Sequence, residues 1–268
     1  HSHTAAEWEQ VGTRLRERLP ALSYAEAFAG VARLVALADD GHTFPYLPTH
    51  RDFQALYPVQ LRLFSDGLYV SEATPEHTDL FDQQVLRING VPVSEARDKL
   101  RPLIGGNAMR FVDMMPLLLR APVVMHGSGL SDSLRAPLVL TVAGPEGDSS
   151  TVSIEATGRR AASDLRSAAG SRAKEGDAQP LYQRLNGNYA FEHVPDENLL
   201  YLRLRSVIEA EDQPFPDFLR RVFAVADSQD VGKFVVDLRG NSGGNNYLVQ
   251  PLLHALTCHS TINQAGRR

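Results

Sequence analysis

Residues 233–246 read KFVVDLRGNSGGNN, and the fold of the chain turns on this stretch. Phe234, Val235, Val236 and Leu238 form a short apolar run, β-branched at its centre, of the kind that fits a strand buried on both faces. Arg239-Gly240-Asn241-Ser242-Gly243-Gly244 then places three glycines in six positions. From Tyr247 onward Leu248, Leu252, Leu253 and Leu256 repeat at helical spacing. The order is strand, glycine-rich turn, helix. Such a turn leaves backbone N–H groups unpaired at a helix N-terminus, where they can hold a phosphate, a carboxylate or the oxyanion of an acyl-transfer intermediate.

Upstream of this stretch, Pro214 and Pro216 introduce a helix running to Ala226. Before it, Tyr189-Ala190-Phe191 and residues 199–204 pair as a hairpin across Pro195-Asp196-Glu197-Asn198. Residues 159–180 are rich in Ala, Ser, Arg, Lys, Asp and Gly and read as a linker or mobile loop. The part preceding it is a unit of short strands with one or two helices. Val59, Leu61 and Leu63 alternate with polar residues, and Ser65-Asp66-Gly67 turns the chain into Leu68-Tyr69-Val70. Residues 84–88 form a strand closed by Asn89-Gly90, the strongest short turn signal present. Ser94 is read as the cap of a helix carrying Ala96, Leu100, Leu103 and Ile104, and a second helix carries Met109, Val112, Met115 and Leu119 ahead of Pro122. Strands at 138–142 and 152–154 flank the turn Gly144-Pro145-Glu146-Gly147.

Two helices open the chain. Trp8, Val11, Leu15 and Leu19 mark the first, which stops at Pro20. Ser23, with Glu26 three residues on, is a capping box for the second, which carries Phe28, Val31, Leu34, Val35 and Ala38. Gly41 is expected to end that helix as its C′ glycine. His42 then sits on a fixed turn, after Asp39-Asp40 and before Phe44-Pro45-Tyr46-Leu47-Pro48.

At 268 residues, 43% hydrophobic and 22% charged, the chain suits one large globular domain or two ordinary ones. A net charge of -5 without a basic run gives no footprint for nucleic acid or an anionic membrane. No apolar run approaches the roughly 18 residues of a membrane span. Cys258 is the single cysteine, so an intramolecular disulfide and a CxxC metal site are both excluded, and cytoplasmic and periplasmic or secreted settings both fit. His1 and His3 at the start read as a tag remnant rather than a metal site, and a signal peptide ahead of them is compatible with such a start. No cofactor or metal is implied.

Gly240-Asn241-Ser242-Gly243-Gly244 also matches the G-x-S-x-G nucleophile elbow, whose acid and histidine follow the serine. After Ser242 there is no Asp or Glu, only His254 and His259, so Ser242 lacks the partners of a nucleophile. A phosphate loop fails for want of a Gly-Lys-Ser/Thr ending, and a dinucleotide fingerprint fails on glycine spacing. Cys258 and His259, neighbours at a helix end, point apart, and a lone cysteine on an apolar face reads as core.

Residues 235–244, VVDLRGNSGG, resemble the D-L-R-x-N-x-G-G signature of the tail-specific (C-terminal-processing) serine peptidases. Residues 84–93, QVLRINGVPV, resemble the strand, turn and helix start of the PDZ-like module these enzymes carry. Asp40-Gly41-His42-Thr43 resembles the D-G-H-T of the family's tricorn-like and retinoid-binding-protein-like branches. The three signatures stand in the family's order and span residues 5–260.

The resemblance implies a multidomain α+β and α/β chain. Residues 1–50 would be an N-terminal helical segment, 56–158 a PDZ-like domain, 159–180 the linker, and 181–268 the N-terminal half of a crotonase-like (ClpP-like) catalytic domain. It implies His42 as the base, Gly243 and Gly244 as part of the oxyanion hole, and Asp237, Arg239 and Asn241 as residues that fix the turn. The partner is a peptide or protein substrate whose C-terminal end the PDZ-like groove would hold by strand addition. In the family the nucleophilic serine lies on a later strand-to-helix turn. The expectation is therefore a chain that stops short of its nucleophile, with the rest of the sheet supplied by the remainder of the protein or by a homo-oligomer partner. The alternative is a non-catalytic module of the same architecture that binds peptide C-termini or a hydrophobic ligand. A third reading is an unrelated hydrolase using Ser242.

Overall fold

The computed structural model describes residues 3–45, 53–144, 148–163, 165–167, 179–229 and 231–258. His1, the Tyr46-Leu47-Pro48 end of the proline segment, residues 145–147 of the expected turn, residues 164 and 168–178 of the expected linker, and the tail from His259 lie outside them. The chain divides into two compact units, His1–Arg172 and Ala173–Arg268.

The first unit begins with helices α1 (Ala5–Arg18) and α2 (Tyr24–Ala36). Ser23 and Glu26 form the expected capping box, and Thr4 with Glu7 forms a second one. The end of α2 differs from expectation. The N–H groups of Leu37, Ala38 and Asp39 bond back to Leu34, Val35 and Ala36, and Asp39 itself takes the left-handed conformation (φ 51°). The helix thus closes before Gly41, since aspartate tolerates that region better than most side chains.

Seven strands follow, interleaved with three helices: β1 (Val59–Leu63), β2 (Leu68–Ala73), β3 (Gln84–Ile88), β4 (Val91–Pro92), α3 (Val93–Leu100), α4 (Ala108–Leu119), α5 (Pro122–Gly127), β5 (Leu138–Ala143), β6 (Ser149–Ile154) and β7 (Arg166–Ser167). The sheet runs β1-β2-β3-β5-β6, with β4 on β3 and β7 on β2, every pair antiparallel. Asn89 (φ 49°) and Gly90 (φ 78°) turn β3 into β4 with the positive φ pair that a tight hairpin demands. Because β4 pairs through Pro92, α3 starts at Val93 with Pro92 at its cap, and Ser94 lies inside the helix rather than at its cap. Leu103 belongs to a separate 3-10 turn, Arg101–Leu103. Alternating residues of β1 and β2 pack with Met115 and Leu119 of α4 and with Ala25, Ala29 and Ala32 of α2 in one core.

The second unit carries α6 (Leu181–Arg184), β8 (Tyr189–Val194), β9 (Leu199–Leu204), α7 (Phe215–Ser228), β10 (Lys233–Asp237) and α8 (Gln250–Cys258). Its sheet runs β10-β9-β8. β8 and β9 are the expected antiparallel hairpin, whereas β10 lies parallel to β9 after the α7 crossover. Leu200, Leu202 and Leu204 of β9 bury one face against Phe215, Phe218, Leu219 and Val222 of α7, each fully buried side chain contributing about 1.5–3 kcal/mol. The other face carries Leu199, Tyr201 and Arg203, so the strand buried on both faces is β9. Among the described strands β10 lies at one edge of this sheet, β8 at the other. Val235 is 40% exposed and Leu238 58%, which overturns the reading of 234–238 as doubly buried.

Candidate active site

Asp237 ends β10 on the face of the sheet opposite α7, only 6% exposed. A lone carboxylate cannot stay ionised there, and the next turn of chain supplies its partners. Its Oδ1 accepts the Arg239 backbone N–H (2.9 Å) and Nε (2.9 Å), and Oδ2 accepts Nη2 (2.7 Å). The Tyr201 hydroxyl also donates to Oδ2. Arg239 reaches Tyr201 Oη (3.3 Å) and lies over the Tyr182 ring, 4.5 Å from its centroid. These contacts draw segments from α6, β9 and β10 to one point.

The Arg239 guanidinium, followed by the Tyr201 hydroxyl and the Arg239 backbone N–H, holds the Asp237 carboxyl far below the usual carboxylate range, against the opposing effect of burial. A depressed pKa in the folded state stabilises the fold at neutral pH. That stabilisation is lost as pH falls below the unfolded value of about 4. Asp237→Asn is therefore expected to cost about 2 kcal/mol at pH 7, Arg239 being largely exposed and its charge screened. Urea denaturation should show the gap to wild type narrowing below about pH 4. A gap independent of pH would rule out the carboxylate charge as its cause.

The glycine loop that follows is organised by an inventory of its N–H groups. Asn241 N–H returns to Leu238 O (2.9 Å), and Ser242 N–H reaches Arg205 O (3.0 Å). The Asn241 side chain bridges inward, Nδ2 donating to Leu204 O (2.9 Å) and Oδ1 accepting Gly243 N–H (2.7 Å). Gly243 O accepts Val207 N–H and Val207 O accepts Asn245 N–H, both at 2.8 Å, a parallel bridge that clamps Gly244 against Val207. Among the described residues, the Gly244 N–H has no acceptor. Of the two glycines singled out in the sequence, Gly243 has its N–H engaged inside the loop, whereas among the described residues that of Gly244 is not. Behind the loop a 3-10 turn, Asn246–Val249, precedes α8.

His42 belongs to the first unit. Asp40 shapes its turn, accepting the His42 backbone N–H (3.2 Å) and the Thr43 hydroxyl (2.6 Å). The Thr43 hydroxyl and then the His42 N–H keep the Asp40 carboxyl below its ordinary range. The imidazole is wholly exposed, with Nδ1 3.8 Å from Asp40 Oδ1. Beneath the turn is an apolar cavity of about 30 Å³ walled by Phe28, Phe44, Leu103 and Met114.

Ser242 is exposed, and its hydroxyl has no hydrogen-bond partner among the described residues. His254 and Cys258 are exposed on α8, so the cysteine expected in a core is on the surface. The described residues contain no group of three or more His, Cys, Asp and Glu that could hold a metal, and no helix long and apolar enough to cross a membrane. The site residues not anticipated are Tyr182 and Tyr201. Alternation along β9 could have placed Tyr201 on the face of Asp237, but no local signal marks Tyr182.

No protein-family model matches the chain, and no curated protein sequence matches it. Solved structures do. The mixed α+β architecture is similar to that of solved CPAF structures. Among the matches is CPAF, a chlamydial serine protease of the tail-specific kind. The chain aligns with mature CPAF complexed with lactacystin at a TM-score of 0.60 and 16% identity, over 91% of this chain and 52% of CPAF. Mature CPAF alone gives 0.59 and 15% over 88% and 50%. A serine-to-alanine CPAF variant gives 0.60 and 15% over 91% and 52%. The chain spans about half the length of these proteins, and at such identities the likeness is one of fold.

Proposed function

We propose that the chain is the N-terminal portion of a serine-type endopeptidase of the tail-specific kind, which cleaves peptide bonds through an acyl-enzyme. His42 is the base, the Gly244 N–H is an oxyanion donor, and Asp237, Arg239 and Asn241 hold the loop in shape. Residues 56–158 act as a PDZ-like module that takes the substrate's C-terminal end, and residues 181–268 begin a crotonase-like catalytic domain. The observation that carries the reading is that, among the described residues, the Gly244 N–H has no acceptor while the Asn241, Ser242, Gly243 and Asn245 N–H groups are engaged. The CPAF-like fold supports it.

The nucleophile in this reading is a serine outside these 268 residues. Ser242 is ill suited to the role, being exposed with no base bonded to it among the described residues. Fluorophosphonate treatment of the 268-residue chain is expected to leave every serine unlabelled. In the protein that carries the chain together with its nucleophile, cleavage of an unfolded protein such as reduced casein should survive Ser242→Ala within about threefold, since a serine outside the chemistry contributes little to the barrier. Stoichiometric labelling of Ser242 would replace the proposal with an unrelated hydrolase. Absence of any cleavage by the larger protein would leave a binding module.

A further inference from the structure

The first unit contains a second pocket, of about 440 Å³, between α1, α2 and the 3-10 turn at Arg101–Leu103. Its walls are apolar, formed by Val11, Leu37, Pro102 and Ile104. The charged groups lining it are Arg33, Arg101, Asp39 and His3. Arg101 is committed elsewhere: it donates to Ile104 O (2.6 Å) and Gly106 O (3.3 Å) and lies over the Phe111 ring. Arg33 is different. It is half-buried, donates no hydrogen bond and makes no ion pair among the described residues. Burial and then the like charge of Arg18 weaken its hold on its proton, which a counter-anion would offset, while the Asp39 carboxylate in the same lining works against a second anion.

A half-buried guanidinium without a partner, at the side of an apolar pocket within the size range of ligand sites, selects for two properties at once. The ligand must carry a carboxylate-like head that the planar fork can hold, and an apolar body to cover Val11, Leu37 and Ile104. We propose that this pocket binds a medium-chain carboxylate, with Arg33 holding its head and the apolar walls its tail. Its volume exceeds that of an eight-carbon chain. The proposal is independent of the peptidase reading, because no residue of the pocket takes part in the proposed chemistry.

Isothermal titration of octanoate into the 268-residue chain is the test. The expected result is saturable one-site binding, weakened about tenfold or more by Arg33→Met and less by Arg33→Lys, which keeps the charge but not the planar fork. Octan-1-ol, with the same tail and no charge, should bind wild type about tenfold more weakly than octanoate. If Arg33→Met fails to fold by circular dichroism, Arg33→Lys and the octanoate–octanol comparison on wild type decide the matter. The proposal is overturned if octanoate does not saturate, if it binds a folded Arg33→Met as well as wild type, or if octanol equals octanoate.

Discussion

Under the proposed mechanism, His42→Ala is expected to lower peptidase activity by about 10²–10⁴-fold in the protein that carries this chain with its nucleophile, the usual contribution of a general base. The substitution is a clean probe because of where the side chain sits. The imidazole is fully exposed, with Asp40 Oδ1 3.8 Å from its Nδ1. The Asp40 bonds that shape the turn go to the His42 backbone N–H and the Thr43 hydroxyl, and both survive in the alanine variant. Thermal melting should therefore be unchanged while turnover collapses, and KM should move far less than kcat. An activity loss below about tenfold would remove His42 from the chemistry, being well under the typical contribution of a general base.

Gly244→Ala should be the most damaging single substitution in the glycine loop. Gly244 has φ 139°, and a Cβ there would stand 2.2 Å from Val207 O and 2.6 Å from Val207 C. Both obstacles are backbone, so no rotamer change relieves them. The two bridge hydrogen bonds that flank Gly244 would have to break. Strain of this kind together with lost hydrogen bonds amounts to about 3 kcal/mol. Gly243 is the internal control: its φ is 84°, but a Cβ there meets nothing within 4 Å. Gly243→Ala should cost only the left-handed penalty of about 1–2 kcal/mol. Urea midpoints of the two variants, measured side by side, check the ranking. Equal midpoints would show that the loop relaxes away from Val207.

Features decided by neighbours in sequence were legible in it. The Ser23–Glu26 capping box, the Asn89-Gly90 turn, the β8–β9 hairpin and the strand–glycine–helix order of 233–258 all rest on local stereochemistry. Where two local signals competed, reading failed. Gly41 looked like the helix terminator, yet the chain had already turned at Asp39. Ser94 looked like a cap, yet the pairing of Pro92 with Arg87 brought α3 forward. The apolar run in β10 could not reveal that its outer side lacks a neighbour among the described strands. Side-chain partnerships were beyond sequence altogether: nothing in DLRGN announces that Asn241 takes the Gly243 N–H or that Tyr201 caps Asp237.

The meeting of Asp237 and Arg239 with Tyr201 and Tyr182 also bears on the order in which the second unit folds. Tyr201 stands 36 residues from Asp237 and 38 from Arg239, and Tyr182 is more distant still in the chain. Such contacts gain nothing until long loops have closed, whereas the β8–β9 hairpin closes over a handful of residues. The glycine loop is shaped only once the segments from α6 and β9 are docked. It is therefore expected to form late in folding, so that its geometry would report the completeness of the whole unit.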